Sequence, residues 1–160
     1  MSESFGDKFL IFCTIVFFLL LILAAGFLHD DYGGFTDEMM EIETAGINLK
    51  FIQARFFPSM SLPDVPTFSW EDLPDLPDYE DKTYGAAAMM PTLFINELPG
   101  ISLNRAEFLD FRRFYTFINF FFFLLCFYGL LQNRFKSRLV SLCGVLLLTL
   151  SPRIFADSFY

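Results

Sequence analysis

Charge drops out of this chain three times. From Phe9 to Leu28 the sequence FLIFCTIVFFLLLILAAGFL has no Asp, Glu, Lys or Arg. A helix of that length is about 30 Å long, the thickness of a bilayer's hydrocarbon core. A second apolar run covers Phe114–Leu131 and a third Leu139–Leu150. The pattern predicts an all-α integral membrane protein. Three transmembrane helices (within 1–28, 114–132 and 139–160) would flank an acidic, Pro-rich extramembrane loop at 29–113 and a basic turn at 133–138.

The loop changes period along its length. After Thr36, a candidate cap, apolar residues recur at Ile42, Ala45, Leu49, Ile52 and Phe56, which is helical spacing. Asp37, Glu38, Glu41 and Glu43 come early and Lys50 and Arg55 late, matching the helix dipole. This predicts an amphipathic helix over about 37–57, ended by Pro58. It would pack on its own protein or the membrane surface, or dock a partner subunit.

From Pro58 to Gly85 Leu-Pro-Asp occurs three times. Proline at this density disfavours helix and sheet pairing and leaves an extended path. Yet Met60, Leu62, Val65, Phe68, Trp70, Leu73, Leu76 and Tyr79 keep arriving, as a solvated acidic linker does not require. The expectation is a strap lying across another polypeptide, anchored by Phe68, Trp70, Leu73, Leu76 and Tyr79. The apolar stretch at 85–95 is broken by Pro91 and too short to span. Asn104 and Glu107 have capping-box spacing and open a helix from about residue 104 that continues into the second span.

Phenylalanine wraps every face of that span, and Asn119 is its one strongly polar side chain. An amide there is expected to bond another helix. Small residues at Ala24, Ala25, Gly26, Ser141 and Gly144 would let helices approach closely. Ahead of the first span, Glu3 and Asp7 stand against Lys8, where a signal peptide would be basic. That segment reads as an uncleaved anchor.

Charge orients the scheme. Gln132–Arg138 carries Arg134, Lys136 and Arg138 with no acid, which marks a cytoplasmic or matrix side. The 29–113 loop, with sixteen acidic side chains against six basic, would face the opposite side. Arg112 and Arg113 conflict with this rule. The chain's net charge of −8 argues against nucleic acid as a partner.

No chemistry stands out. Cys13, Cys126 and Cys143 lie in the spans without metal-ligand spacing and read as buried thiols. The sole histidine, His29, reads as a polar cap on the first span in preference to a haem or chlorophyll ligand. The pairs Asp30-Asp31, Glu71-Asp72 and Glu80-Asp81 fit no calcium-loop spacing. The spans lack the interior Asp, Glu, Lys or His of ion and proton paths. No catalytic, metal or cofactor-binding residue is expected, and the chain reads as not an enzyme.

The leading expectation is a non-catalytic accessory subunit of a large membrane complex. Its partners would be other integral membrane subunits and the lipid bilayer. The setting would be an energy-converting assembly, such as a respiratory chain, in a bacterial or mitochondrial inner membrane. That setting rests on how common such subunits are, not on any residue. The alternatives are a small homo-oligomeric cation pore, or a membrane protein of a virion or secretion machine.

Overall fold

The structure is a computed structural model that describes residues 5–28 and 36–159, with side chains from 38 onward in the second stretch. His29 and the Asp30-Asp31 pair therefore lie outside the described residues, and nothing is shown of the Thr36 side chain. The fold is 71% helical, with no strand among the described residues. The described residues hold five α-helices in order: α1 Phe5–Leu28, α2 Thr36–Phe56, α3 Arg105–Phe135, α4 Arg138–Thr149 and α5 Pro152–Asp157. They form two compact units, Gly34–Arg112 and Met1–Gly33 with Arg113–Tyr160.

In the 34–112 unit, α2 is the centre. Ile42, Ala45 and Leu49 are buried as the helical stripe requires, but so are Thr44, Gly46 and Ile47 on other faces. The helix is covered nearly all round in its middle turns, while Phe56 at its end stays exposed. What covers it is its own chain: Val65, Ala86, Leu93 and Phe108 share its core, with Phe68, Trp70 and four methionines packed around them. The 85–95 stretch contributes through a 3-10 helix, Met90–Glu97, whose Thr92 and Leu93 are buried. Leu98–Ile101 then turns back with Pro99 second and Gly100 third at φ 80°, a conformation that favours glycine. The capping box forms: Asn104 Oδ1 accepts from the Ala106 and Glu107 amides, and Glu107 accepts from the Asn104 amide at 2.8 Å.

In the other unit, α1, the later part of α3, and α4 with α5 pack around Phe18, Leu21, Ala25, Phe117, Leu124, Leu142, Val145 and Phe159. The turn from α3 to α4 is very short. Lys136, at φ 53°, ends α3 with its amide bonded to the Gln132 carbonyl, and Ser137 caps α4. The chain then doubles back along α3. Ser141 lies beside Gln132, and Phe159 stacks on Phe117 at 4.9 Å. Asp7 near the start of α1 meets Arg138 at the start of α4, at 3.4 Å, so these two helix starts lie together.

Two helices, α1 and α3, are long and apolar enough to cross a membrane. The third apolar run is a helix of 12 residues, α4, closed before Ser151-Pro152, and α5 starts afresh. The physical reason is proline: the residue before it is pushed out of the helical region, and its ring clashes with a preceding carbonyl.

Candidate functional site

The strap residues singled out as partner anchors are brought together, but on α2 of the same chain. Phe68 lies over Gly46 so closely that a Cβ there would sit 2.6 Å from its ring, and Leu73 closes the same spot at 3.0 Å. Trp70 meets Phe68 edge-on at 5.0 Å, and its indole N–H donates to the Pro63 carbonyl at 2.8 Å. Leu76 is half-buried and opens a 3-10 turn, Leu76–Asp78. The Tyr79 hydroxyl lies 2.7 Å from Thr44 Oγ1. Lys50 donates to the Leu73 carbonyl at 2.8 Å and pairs with Asp75 at 3.2 Å. Gln53 donates to the Met60 carbonyl at 2.8 Å. The stretch has no α-helix; it is a run of tight turns with one 3-10 turn, and it makes these contacts within its own chain.

These contacts direct the apolar side chains inward. Asp64, Glu71, Asp72, Asp75, Asp78 and Glu80 are left exposed. No basic residue interrupts the sequence from Asp64 to Asp81.

A buried charge cluster was not legible in advance. Arg112 is fully buried, and its guanidinium donates to Glu38, also buried, at 3.0 Å and to the half-exposed Glu41. The sequence hinted at it only through Arg112 standing against the charge rule. No local spacing links residue 112 to residues 38 and 41.

The predicted helix-packing residues divide. Ala25 is fully buried in the core of its unit and Ala24 half-buried, whereas Gly26 is exposed with open space about it. Ser141 is buried, its one proton placed between Gln132 Oε1 at 3.1 Å and the Ser137 carbonyl at 2.9 Å. Gly144 gives Leu131 of α3 room that a Cβ would take away. Asn119 departs from expectation: it is exposed and donates to the Tyr115 carbonyl of its own helix at 2.9 Å. The cysteines depart too. Cys13 is half-buried, but Cys126 and Cys143 are exposed, on outward faces of α3 and α4.

An open groove of about 420 Å³ lies between α3 and α5, lined by Thr116, Asn119, Phe120, Phe123, Ile154, Asp157 and Ser158. Among the described residues, no three His, Cys, Asp or Glu side chains come together as a metal site. No protein-family model matches the chain, and no curated protein or solved structure shows significant similarity to it.

Proposed function

We propose that the chain is an integral membrane protein acting as a non-catalytic accessory subunit of a larger membrane assembly. The observation that carries the membrane reading is the exposure of its most apolar helix. Only 17% of the apolar stretch of α1 is buried, and Phe9, Phe12, Leu19, Leu20 and Leu23 face outward. The core helix of a soluble protein would hide that surface. A removable signal sequence would not need Phe18, Leu21 and Ala25 built into a shared core.

Three crossings fit this reading. α4 alone is about 18 Å long and too short to span. With α5, however, the chain follows α3 from Gln132 back to Phe117, about 22 Å of helix axis, most of a hydrocarbon core. The short turn holding Arg134, Lys136 and Arg138 would then lie on the cytoplasmic or matrix side, with the acidic 34–112 unit opposite. The charge of Arg112 that opposes this is matched by Glu38 and Glu41.

The accessory role follows from what this geometry offers. The strap's apolar side is spent on α2, so contact with a neighbour falls to its exposed carboxylates and to the lipid-facing helices. Exposed acids suit a basic partner surface and contribute specificity more than affinity. Purification of the tagged chain from its own membrane in a mild detergent is the test. A fixed set of membrane polypeptides should accompany it in constant ratio. Elution as a lone monomer, or as a homo-oligomer that conducts cations on reconstitution, overturns the subunit reading.

A further inference from the structure

The fold gathers cations from two parts of the chain at one end of the unit that holds α1, α4 and the later part of α3. Asp7 meets Arg138 at 3.4 Å, which brings the starts of α1 and α4 together. Lys8 of α1 thereby stands at the same end as Arg134 and Lys136 of the turn. All three are exposed, and none has a carboxylate partner among the described residues. Lys136 gives one hydrogen to Asn133 Oδ1 at 2.9 Å and keeps two. Asp7 is the only acid of α1 and the turn, and Arg138 takes it. Four basic side chains therefore stand against one acid among the described residues of this end.

The surface turns from basic to apolar within one helical turn. Phe5, Lys8, Phe9 and Phe12 follow three- and four-residue spacing along one face of α1, and the three phenylalanines are more than half exposed. Leu139 and Val140, just past Arg138, are exposed at the start of α4. The apolar run of α1 begins at Phe9 and that of α3 ends at Leu131. In a membrane the cations would stand at headgroup level and the apolar side chains in the hydrocarbon below. A ligand that fits is anionic at its head and apolar along its length. We propose that this end of the unit binds a phospholipid whose headgroup carries phosphate and no ammonium. Lys8, Arg134 and Lys136 donate charge-assisted hydrogen bonds to the phosphate oxygens. The acyl chains lie on Phe9 and Phe12 of α1 and Leu139 of α4. A zwitterionic headgroup is disfavoured, because its ammonium meets surplus cations and finds Asp7 already held by Arg138. Sidedness needs only the basic residues of the turn. Lys8 lies outside the turn, and the fold brings it to the same end.

The inference rests on the membrane reading, and the experiment separates the two. The full chain is tested in its membrane for resistance to alkaline carbonate. It is then purified in detergent, delipidated and titrated by native mass spectrometry with phosphatidylglycerol, phosphatidylcholine or phosphatidylethanolamine of matched chains. Phosphatidylglycerol should be retained in preference to either zwitterionic lipid by about tenfold. Arg134→Gln/Lys136→Gln, at exposed sites, should abolish the preference, and Lys8→Gln alone should reduce it. Asp7→Asn, which removes the acid and releases Arg138, should raise it.

A chain that resists carbonate yet retains all three lipids equally overturns the inference and leaves the membrane reading standing. So does a preference that survives Arg134→Gln/Lys136→Gln, is unchanged in Lys8→Gln or falls in Asp7→Asn. Displacement of the lipid by inorganic phosphate would show a site for a free anion and overturn it too. Release of the chain by carbonate overturns both readings.

Discussion

Arg112 ties two distant parts of the sequence through one side chain. It is 74 positions from Glu38, both are buried, and the pair fixes the start of α3 against the first turn of α2. Taking two charges out of water is costly. The pair holds because each guanidinium–carboxylate bond offsets the desolvation of the other group. Arg112→Met takes the guanidinium from both carboxylates, whereas Glu38→Gln leaves Arg112 paired with Glu41. Arg112→Met should therefore lower the stability of the 34–112 unit by about 3–5 kcal/mol, and Glu38→Gln by less. Glu41→Gln, at the half-exposed member, should cost only about 1 kcal/mol. The double variant Glu38→Leu/Arg112→Met should recover most of the loss, because hydrophobic replacements of a buried pair are often neutral. Denaturant melts followed by the emission of Trp70, the chain's one tryptophan, would measure all four. Equal losses for Glu38 and Glu41 would contradict the burial argument.

Among the elements, α2 and the strap form one device. A helix with Gly46 at its middle gives up about 1 kcal/mol relative to alanine. The absence of a Cβ is what lets Phe68 and Leu73 approach the backbone. Gly46→Ala gains that propensity but forces the Phe68 ring aside, at about 1–3 kcal/mol for overpacking. The net expectation is a loss of about 1 kcal/mol, from the difference of those two effects. Gly46→Leu should release the strap, red-shift Trp70 emission and expose the amides of residues 58–85 to rapid hydrogen exchange. Phe68→Ala in the Gly46→Ala background should relieve part of the strain, because the clashing ring is gone. A stabilised Gly46→Ala chain with unchanged Trp70 emission would show that the ring moves at little cost. The same contacts explain why an irregular, proline-rich segment is ordered: each anchor's enthalpy is collected by α2, offsetting the chain entropy that a free linker would keep.

For the whole molecule, the decisive quantity is which surface stays apolar on the outside. α1, α3 and α4 expose Phe, Leu and Ile along their lengths, whereas the 34–112 unit encloses a core of its own and leaves its carboxylates exposed. In a chain cleared of its three cysteines, Asn133→Cys in the basic turn and Ser69→Cys in the strap should react with an impermeant maleimide from opposite sides of sealed vesicles. Both positions are exposed, so accessibility reports side and not burial. Labelling of both from one side would mean an even count of crossings between them. That would sink the proposed path through α3.

The local signals were readable in the sequence because each depends on neighbours a few positions away. The length of the first apolar run, the helical spacing from Ile42 to Leu49, the Asn104–Glu107 box and the lack of α-helix over the proline-rich 58–85 are of this kind. What fills a face is not local. Phe68, Trp70 and Tyr79 showed that the strap needed a surface, and nothing in their spacing distinguished another polypeptide from α2. Asn119 showed a need for a hydrogen bond, and its own helix backbone supplied one. Pro152 accounts for the stop of α4, but only the stacking of Phe159 on Phe117 decided that the chain beyond it turns back along α3. The pairing of Arg112 with Glu38 and Glu41 depends on contacts more than seventy residues apart, and the reason is general: sequence periodicity states which side chains must leave water, whereas their partners are chosen by the packing of the folded chain.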